Sequence, residues 1–237
     1  MLDVRLEGRV GPLSLSAAFD TSRGPVVVTG PNGSGKTTLL LMILGVRKPA
    51  RGRVSIDGVP LFDSEVGVDW AVEARRIGYL PQTFGLFPHL SARENVEFAL
   101  ACRAPRTPAR SRRERARELF ADLGIGPLAE LRPSALSAGE RQRVALARAI
   151  AAEPRALLLD EPFAALDIGA RRHVRVFLRE YLERLRLPTV IVSHDAKDAQ
   201  AMGGTIAVLE AGRVVQAGAW SELLESPASE FVRELTT

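Results

Sequence analysis

The chain has 237 residues, of which 46% are hydrophobic, and this is enough to bury a sizeable core in one large domain or two closely joined lobes. Its net charge of +4 is mildly basic, which suits a nucleotide, an acidic membrane surface or nucleic acid. We expect no membrane span, since no apolar run approaches roughly 20 residues, and no signal peptide. The lone Cys102 excludes an internal disulfide and fits a reducing compartment.

Residues 1–29 have the pattern of β-strands. Apolar side chains alternate with small ones from Leu13 to Phe19, which predicts a half-buried strand. A β-branched run at residues 25–29 predicts a second strand, and residues 37–44 predict a helix that ends at Gly45.

A glycine-rich stretch between that strand and that helix fits the pattern G-x-x-x-x-G-K-[S/T]. Its glycines let backbone N–H groups turn toward phosphate oxygens, and the helix N-terminus adds partial positive charge. Lys36 would supply a full charge for the β- and γ-phosphates, and Thr37 a hydroxyl for Mg²⁺. A turn without a ligand is the alternative, but the strand and helix around it favour a phosphate site. The stretch consists of Gly30, Pro31, Asn32, Gly33, Ser34, Gly35, Lys36, Thr37 and Thr38.

The next segment predicts two further strands and then a change to helices. Residues 52–59 predict a strand that ends in an Asp-Gly turn, residues 63–74 are irregular, and residues 76–82 predict a short strand ending at Gln82. Alanine, leucine, arginine and glutamate dominate from residue 84 to 153, which favours helices. Ser91 and Glu94 have the spacing of a capping box. Seven arginines at residues 103–117 indicate a solvated helix face or, less readily, a basic patch for lipid or nucleic acid.

The last third alternates strands and helices. Residues 155–161 and 188–194 are apolar runs typical of strands buried on both faces, and a helix is predicted at about 168–186 between them. Residues 206–216 predict a hairpin, and one short helix follows from Ser221. This order favours an α/β fold with a parallel sheet and a helical insertion.

Polar residues at the predicted strand ends indicate where chemistry occurs. Parallel strands present their carboxyl ends at one edge, where the phosphate loop also lies. Asp160 could hold Mg²⁺ through its water shell, and Glu161 could orient or deprotonate an attacking water. His194 could bond a γ-phosphate or that water, and Gln82 could sense the metal or the water. The acidic pair could instead cap a helix, although the phosphate loop favours a metal site. Taken alone, His194 is more often structural and Gln82 is an ordinary polar residue.

Together the motifs resemble the nucleotide-binding subunit of an ATP-binding cassette (ABC) transporter, over essentially the whole chain. Residues 30–37 match Walker A, Gln82 the Q-loop, residues 157–160 with Glu161 Walker B, Asp167 the D-loop, and His194 the switch histidine. The signature LSGGQ is matched with departures at Ala138 and Glu140, before a helix expected to start near Glu140. The stretch at the position of the signature consists of Leu136, Ser137, Ala138, Gly139 and Glu140.

The resemblance implies a P-loop NTPase (RecA-like) α/β fold. It has a parallel-sheet core, an N-terminal antiparallel β subdomain and a helical signature subdomain. We expect a single domain over 1–237, in which 1–82 and 154–237 form the core and β lobe and 83–153 the helical subdomain. It also implies ATP hydrolysis with Mg²⁺ bound by Thr37, Gln82 and Asp160. Two copies, or a copy and a homologous subunit, would sandwich ATP so that the signature of one contacts the nucleotide of the other.

Among ABC proteins, transport is the favoured function. The motif halves lack the long coiled coil of repair ATPases, and one cassette is present where translation-factor types usually have two. Residues 83–91 resemble importers of molybdate, sulfate and related solutes, although these often carry a further C-terminal domain not included before Thr237; an exporter is the alternative. The partners implied are transmembrane permease subunits and a solute-binding protein, with no nucleic acid. The chain itself would be cytoplasmic and peripheral, on the cytoplasmic face of the membrane. The family usually stacks adenine on an aromatic ring in a turn that here, at residues 11–13, has none.

Overall fold

A computed structural model describes residues 1–202 and 204–236. Strands β1 to β11 are, in chain order, Leu2–Val10, Leu13–Asp20, Val26–Thr29, Arg51–Ile56, Val59–Asp63, Val68–Asp69, Ile77–Leu80, Ala156–Asp160, Thr189–Val192, Thr205–Glu210 and Arg213–Gly218. Helices α1 to α9 are Lys36–Leu44, Val72–Arg75, Ala92–Arg103, Ala109–Asp122, Ala138–Ala151, Ile168–Leu185, Ala196–Met202, Trp220–Glu225 and Glu230–Thr236. None of the helices within the described residues is both long and apolar enough to cross a bilayer.

Within those residues the strands form one sheet in the order β6-β5-β4-β1-β2-β11-β10-β3-β9-β8-β7. The half from β6 to β2 is antiparallel. Leu2, Val4 and Leu6 alternate along β1 and are buried, as period-2 patterning requires. The predicted Asp-Gly turn joins β4 to β5, and both of its residues have positive φ, the backbone that a tight hairpin needs.

The other half is parallel from β10 through β3, β9 and β8 to β7. Every residue of β3, β8 and β9 is buried, because helices cover both faces of these strands. The hairpin β10-β11 was predicted, and the single pair Arg213 and Ser16 joins it to the antiparallel half. The carboxyl ends of β3, β7, β8 and β9 therefore meet at one edge of the sheet.

Helices α3, α4 and α5 lie between β7 and β8 in the chain. Ser91 caps α3 as predicted: its hydroxyl accepts from the Glu94 amide at 3.2 Å, and the Glu94 carboxylate accepts from the Ser91 amide at 2.7 Å. Helix α5 begins at Ala138, two residues before the predicted start near Glu140, because Ser137 serves as its N-cap.

Residues 63–74 are more regular than predicted, since they contain β6 and most of α2. Arg75 explains this. Its buried guanidinium donates to the Ile43 carbonyl at 2.7 Å, the Trp70 carbonyl at 3.0 Å and the Asp69 carboxylate at 3.0 Å. The arginine thereby satisfies an unpaired carbonyl at the end of α1. The bond to the Ile43 carbonyl joins residues 32 positions apart in the chain, so a local sequence pattern does not predict it.

The end of the chain contains two helices where one was predicted. Helix α8 ends at Glu225, two residues before Pro227, and α9 begins at Glu230. Proline disfavours helical backbone at the residue before it, which separates the two helices. The prediction of a single helix from Ser221 is therefore wrong.

Candidate functional site

The glycine-rich loop joins β3 to α1 as predicted, and its backbone depends on glycine. A Cβ on Gly30 would lie 2.0 Å from the Leu209 carbonyl oxygen, so no other residue fits. Gly35 is the N-cap of α1 with φ of 102°, and no side chain caps this helix or places an acid in its first turn. The first N–H groups of α1 are therefore open to an anion.

Lys36 folds back over this loop. Its ammonium donates to the Gly30 carbonyl at 2.7 Å and the Pro31 carbonyl at 2.9 Å. Burial lowers the pKa of Lys36 from its usual value, while the charges of Glu161 and Asp160 oppose that shift. In the same loop the buried Ser34 hydroxyl has no hydrogen-bond partner among the described residues, which makes it available to a ligand.

Asp160 ends β8 and is 2% exposed. Burial raises its pKa, whereas a hydrogen bond from Thr37 and the Lys36 charge lower it. The Thr37 hydroxyl donates to the carboxylate at 2.8 Å, so the loop and the strand end meet directly. A hydroxyl and a carboxylate are oxygen donors of the kind that Mg²⁺ takes.

Glu161 follows with a left-handed backbone, φ 53°, which is uncommon for a residue other than glycine. Its amide donates to the Val192 carbonyl at 3.0 Å, which ties it to β9. Its Oε1 lies 2.9 Å from Nδ1 of His194, within hydrogen-bonding distance. The histidine is the more open of the two, with a side chain 62% exposed against 12% for the glutamate.

A cavity of about 290 Å³ brings the predicted residues together. Gln82 lines it with Lys36, Thr37, Asp160 and Glu161. The strand before Gln82 ends at Leu80 and the strand before His194 ends at Val192, so both polar residues lie on the loops beyond the strands, not at the strand ends that the sequence predicted. His194 is not among the lining residues and reaches this cavity through Glu161.

The signature residues lie apart from this cavity. Ser137 and Ala138 are exposed at the start of α5, and Leu136 is buried. The Glu140 carboxylate accepts from the Ser137 amide at 2.7 Å, and this bond holds the pKa of Glu140 below its usual value. The departure at Glu140 thus completes a second capping box, which the spacing from Ser137 to Glu140 could have predicted.

Asp167, the predicted D-loop residue, is exposed and caps α6. Its carboxylate accepts from the Ala170 amide at 2.9 Å, and this bond lowers its pKa. Like the signature, it does not line the cavity.

Two ion pairs near His194 were not predicted. Arg171 on α6 donates to the Asp195 carboxylate at 2.6 Å, and Arg175, one turn later, donates to Asp198 at 2.7 Å. The Ser193 hydroxyl also donates to Asp198, at 2.8 Å. These contacts fix the chain on both sides of His194, and they join residues that are far apart in sequence.

Helix α5 contributes two more residues that sequence reasoning missed. Arg148 donates to the carbonyls of Gly85 at 2.6 Å and Phe84 at 3.1 Å, and its guanidinium lies 5.6 Å from the centre of the Phe87 ring. Phe84 and Gly85 both have positive φ, so Arg148 supports a strained turn after Gln82. Gln142 contacts the backbone of the loop that begins at Glu161.

Sequence comparison with known proteins identifies the family to which the chain belongs. The sequence model of the family described as "ABC transporter" matches residues 16–164. The chain is 39% identical over 96% of its length to the molybdenum import ATP-binding protein ModC of Paramagnetospirillum magneticum. It is 39% identical over 97% of its length to the sulfate/thiosulfate import ATP-binding protein CysA of Mesorhizobium japonicum. The chain spans 61% and 66% of the length of these two relatives.

The fold is also that of a solved cassette. The structure matches the dimeric structure of a post-hydrolysis state of the ATP-binding cassette MJ0796 bound to ADP and Pi, with a TM-score of 0.80 and 31% identity. The match covers 92% of this chain and 98% of the other. The predicted family and the predicted P-loop fold class are confirmed, and the chain belongs to the ABC transporter family.

Proposed function

We propose that this chain is the ATP-binding subunit of an ABC transporter, which hydrolyses ATP with Mg²⁺ in a sandwich of two cassettes to drive solute import. The observation that carries the proposal is the 2.8 Å hydrogen bond between Thr37 and Asp160. It brings the phosphate loop and the acidic strand end to one cavity, which is what a site for Mg-ATP requires.

The residues present fit that ligand. The uncapped start of α1, the Lys36 ammonium and the unpartnered Ser34 hydroxyl offer donors to phosphate oxygens along residues 30–38. Thr37 and Asp160, with Gln82 beside them, would hold Mg²⁺. When bound, the metal neutralises charge that develops on the phosphates.

Glu161 is the residue we assign to the attacking water. It lines the cavity beside Asp160, where its carboxylate orients the water and accepts its proton. His194 bonds the same carboxylate and so fixes its direction, and the two ion pairs beside His194 hold the histidine in turn.

The arrangement of the signature supports a two-chain site. Ser137 and Ala138 are exposed and do not line the chain's own cavity, so the ligand they serve would be held by a partner. The dimeric cassette with which the fold agrees supports this. We also infer that residues 83–153, with α3 to α5, act as the helical subdomain on a core formed by 1–82 and 154–237.

We place the permease contact at residues 82–89. The Phe87 ring packs edge-on against Phe98, with ring centres 5.0 Å apart, and Phe98 is 47% exposed. This stretch therefore presents a partly exposed aromatic pair. Aromatic anchors of this kind are typical interface residues. The names of the two relatives support import of an oxyanion such as molybdate or sulfate. The partners we propose are transmembrane permease subunits and a solute-binding protein, with this chain on the cytoplasmic face of the membrane.

Mixing two inactive variants tests the sandwich. Lys36→Ala lacks the ammonium group that would bind phosphate, and Ser137→Arg lacks the signature serine. In their heterodimer one composite site carries both substitutions, and the other carries neither. We expect the mixture to hydrolyse ATP faster than either variant alone, measured as steady-state phosphate release. Ser134→Arg, at an exposed position three residues earlier, is the matched control and should be active by itself. A mixture no faster than the mean of its components would contradict action across the interface.

We expect weak discrimination between ATP and GTP. Leu13 lines the cavity where a base-stacking aromatic would be expected, and phosphate contacts do not distinguish bases. Stacking on an aromatic ring contributes about 1–3 kcal/mol per base, and the turn at residues 11–13 has no such ring. Without that contribution, kcat/KM for GTP should lie within about tenfold of kcat/KM for ATP. Leu13→Tyr should tighten ATP binding in titration calorimetry, whereas the aliphatic control Leu13→Met should not. A preference for ATP above about a hundredfold in the unmodified protein would show that another residue recognises adenine.

A further inference from the structure

Gln142 joins the signature helix to the loop that contains the proposed catalytic glutamate. It lies on α5, five positions after Ser137, and is 3% exposed. Its amide nitrogen donates to the Glu161 carbonyl at 2.6 Å, and its amide oxygen accepts from the Ala165 amide at 3.1 Å. One side chain therefore holds both ends of the 161–165 segment.

The backbone conformation of Glu161 requires stabilising contacts of this kind. Its φ of 53° is uncommon for a side-chain-bearing residue, and the following Pro162 restricts it further. A backbone of this kind persists where surrounding contacts determine it. The Glu161 amide donates to the Val192 carbonyl, and the Glu161 carbonyl accepts from Gln142 at 2.6 Å and from the Ala164 amide at 3.3 Å. The bond from Gln142 is the shorter of the two to the carbonyl. This peptide geometry sets the direction in which the Glu161 side chain leaves the backbone, and the bond to His194 then orients its carboxylate.

We infer that Gln142 is a positioning residue for ATP hydrolysis, which aligns the Glu161 carboxylate by holding the Glu161 main chain against α5. The inference rests on the proposed function, because it assumes that Glu161 acts on the attacking water. Gln142 does not line the cavity and acts only through Glu161 and Ala165.

The same contact connects two sites in the proposed sandwich. Ser137 at the start of α5 would contact the partner's nucleotide, while Gln142 on the same helix holds the glutamate that acts on the chain's own nucleotide. A movement of α5 that follows engagement of Ser137 would reach the Glu161 main chain through the Gln142 amide.

Two substitutions separate the two bonds of Gln142. Gln142→Met removes both bonds with little change in size. Gln142→Glu, when its carboxylate is ionised, keeps an acceptor for the Ala165 amide and loses the donor to the Glu161 carbonyl. Misplacing a reacting group by about 1 Å can cost about 10²-fold, so we expect both variants to lose about 10²-fold in kcat. Affinity for Mg-ATP, measured by calorimetry, should be unchanged, because neither bond touches the nucleotide site.

Gln216 provides a matched control. It makes the same pair of bonds, donating to the Ser226 carbonyl at 2.9 Å and accepting from the Ala228 amide at 2.9 Å, on a segment far along the chain from Glu161. Gln216→Met should change kcat by less than about twofold, the range expected of a surface substitution.

Hydrogen exchange in the nucleotide-free protein tests the link without hydrolysis. The Ala165 amide should exchange faster in Gln142→Met and stay protected in Gln142→Glu and Gln216→Met. If Gln142→Met does not fold, Gln142→Glu, which keeps a polar group and the Ala165 bond, decides the kinetic question. Near-normal kcat in Gln142→Met, or in Gln142→Glu at a pH high enough to ionise its carboxyl, would overturn the inference, as would a parallel loss of nucleotide affinity. Absence of hydrolysis in the unmodified protein would instead refute the proposed function, while the exchange result would still report on the contact.

Discussion

Replacing Glu161 with glutamine is expected to leave Mg-ATP binding intact and to lower steady-state hydrolysis by about 10²–10⁴-fold, the range of general acid–base contributions. Glutamine matches glutamate in size and keeps an oxygen and a nitrogen for hydrogen bonds near His194, which lies 2.9 Å away in the unmodified protein. What is lost is the charge and the ability to accept a proton. The effect should therefore fall on kcat, with little change in affinity.

The measurement is phosphate release under saturating nucleotide, with calorimetry for binding. Glu180→Gln, which makes the same chemical change at an exposed position on α6, is the control and should behave as the unmodified protein. If hydrolysis by Glu161→Gln falls by less than about tenfold, the effect is smaller than general-base catalysis contributes. Another group would then orient the water.

Lys36→Ala is expected to abolish measurable nucleotide binding. Lys36 is the only lysine or arginine among the described residues that line the cavity. Its ammonium donates hydrogen bonds to the Gly30 and Pro31 carbonyls of the loop. Hydrogen bonds to charged groups contribute about 1.5–3 kcal/mol each, and the cation would bond more than one phosphate oxygen. The loss should therefore reach about a hundredfold or more in Kd.

Titration with Mg-ATP measures this loss. Lys48→Ala removes an equivalent charge from an exposed position, where the ammonium pairs with Asp69 at 3.0 Å, and it should bind normally. Thermal unfolding of the nucleotide-free variant separates loss of the ligand contact from loss of the loop's own two hydrogen bonds. Unchanged affinity in a folded Lys36→Ala protein would refute the phosphate-loop assignment.

The sequence predicted best those elements whose signals are local. Helix α1 was predicted at 37–44 and occupies 36–44, because Gly45 with positive φ ends it and an apolar run fills it. The buried strands β8 and β9 were likewise evident from uninterrupted apolar runs. The start of α5, the helix at 72–75 and the break at Pro227 were missed. Arg75 stabilises one of these through contacts distant in sequence, which a local pattern does not contain.

The site shows the same division. The carboxyl ends of parallel strands meet at one edge of the sheet, and the sequence predicts both the strands and the motifs that follow them. Lys36, Thr37, Asp160 and Glu161 could therefore be assigned to one cavity from the sequence. Gln142, Arg148 and Arg171 carry no such signal, because each is an ordinary polar residue of a helix until its distant partner is known. Their contacts are with main-chain carbonyls, an amide and a carboxylate from other segments.

Helix α5 carries Gln142 and Arg148 at a fixed separation, and this constrains the length of the helix. Six residues of α-helix turn through about 600°, or 240° beyond a full revolution, and rise about 9 Å. Inserting or deleting one residue between these positions would turn Arg148 by about 100° relative to Gln142, so that only one of the two could keep its partners. Residues 144–147 between them are also buried, so this stretch should accept no change in residue number. A library of single-residue insertions along α5 should have a sharp minimum in function between 142 and 148.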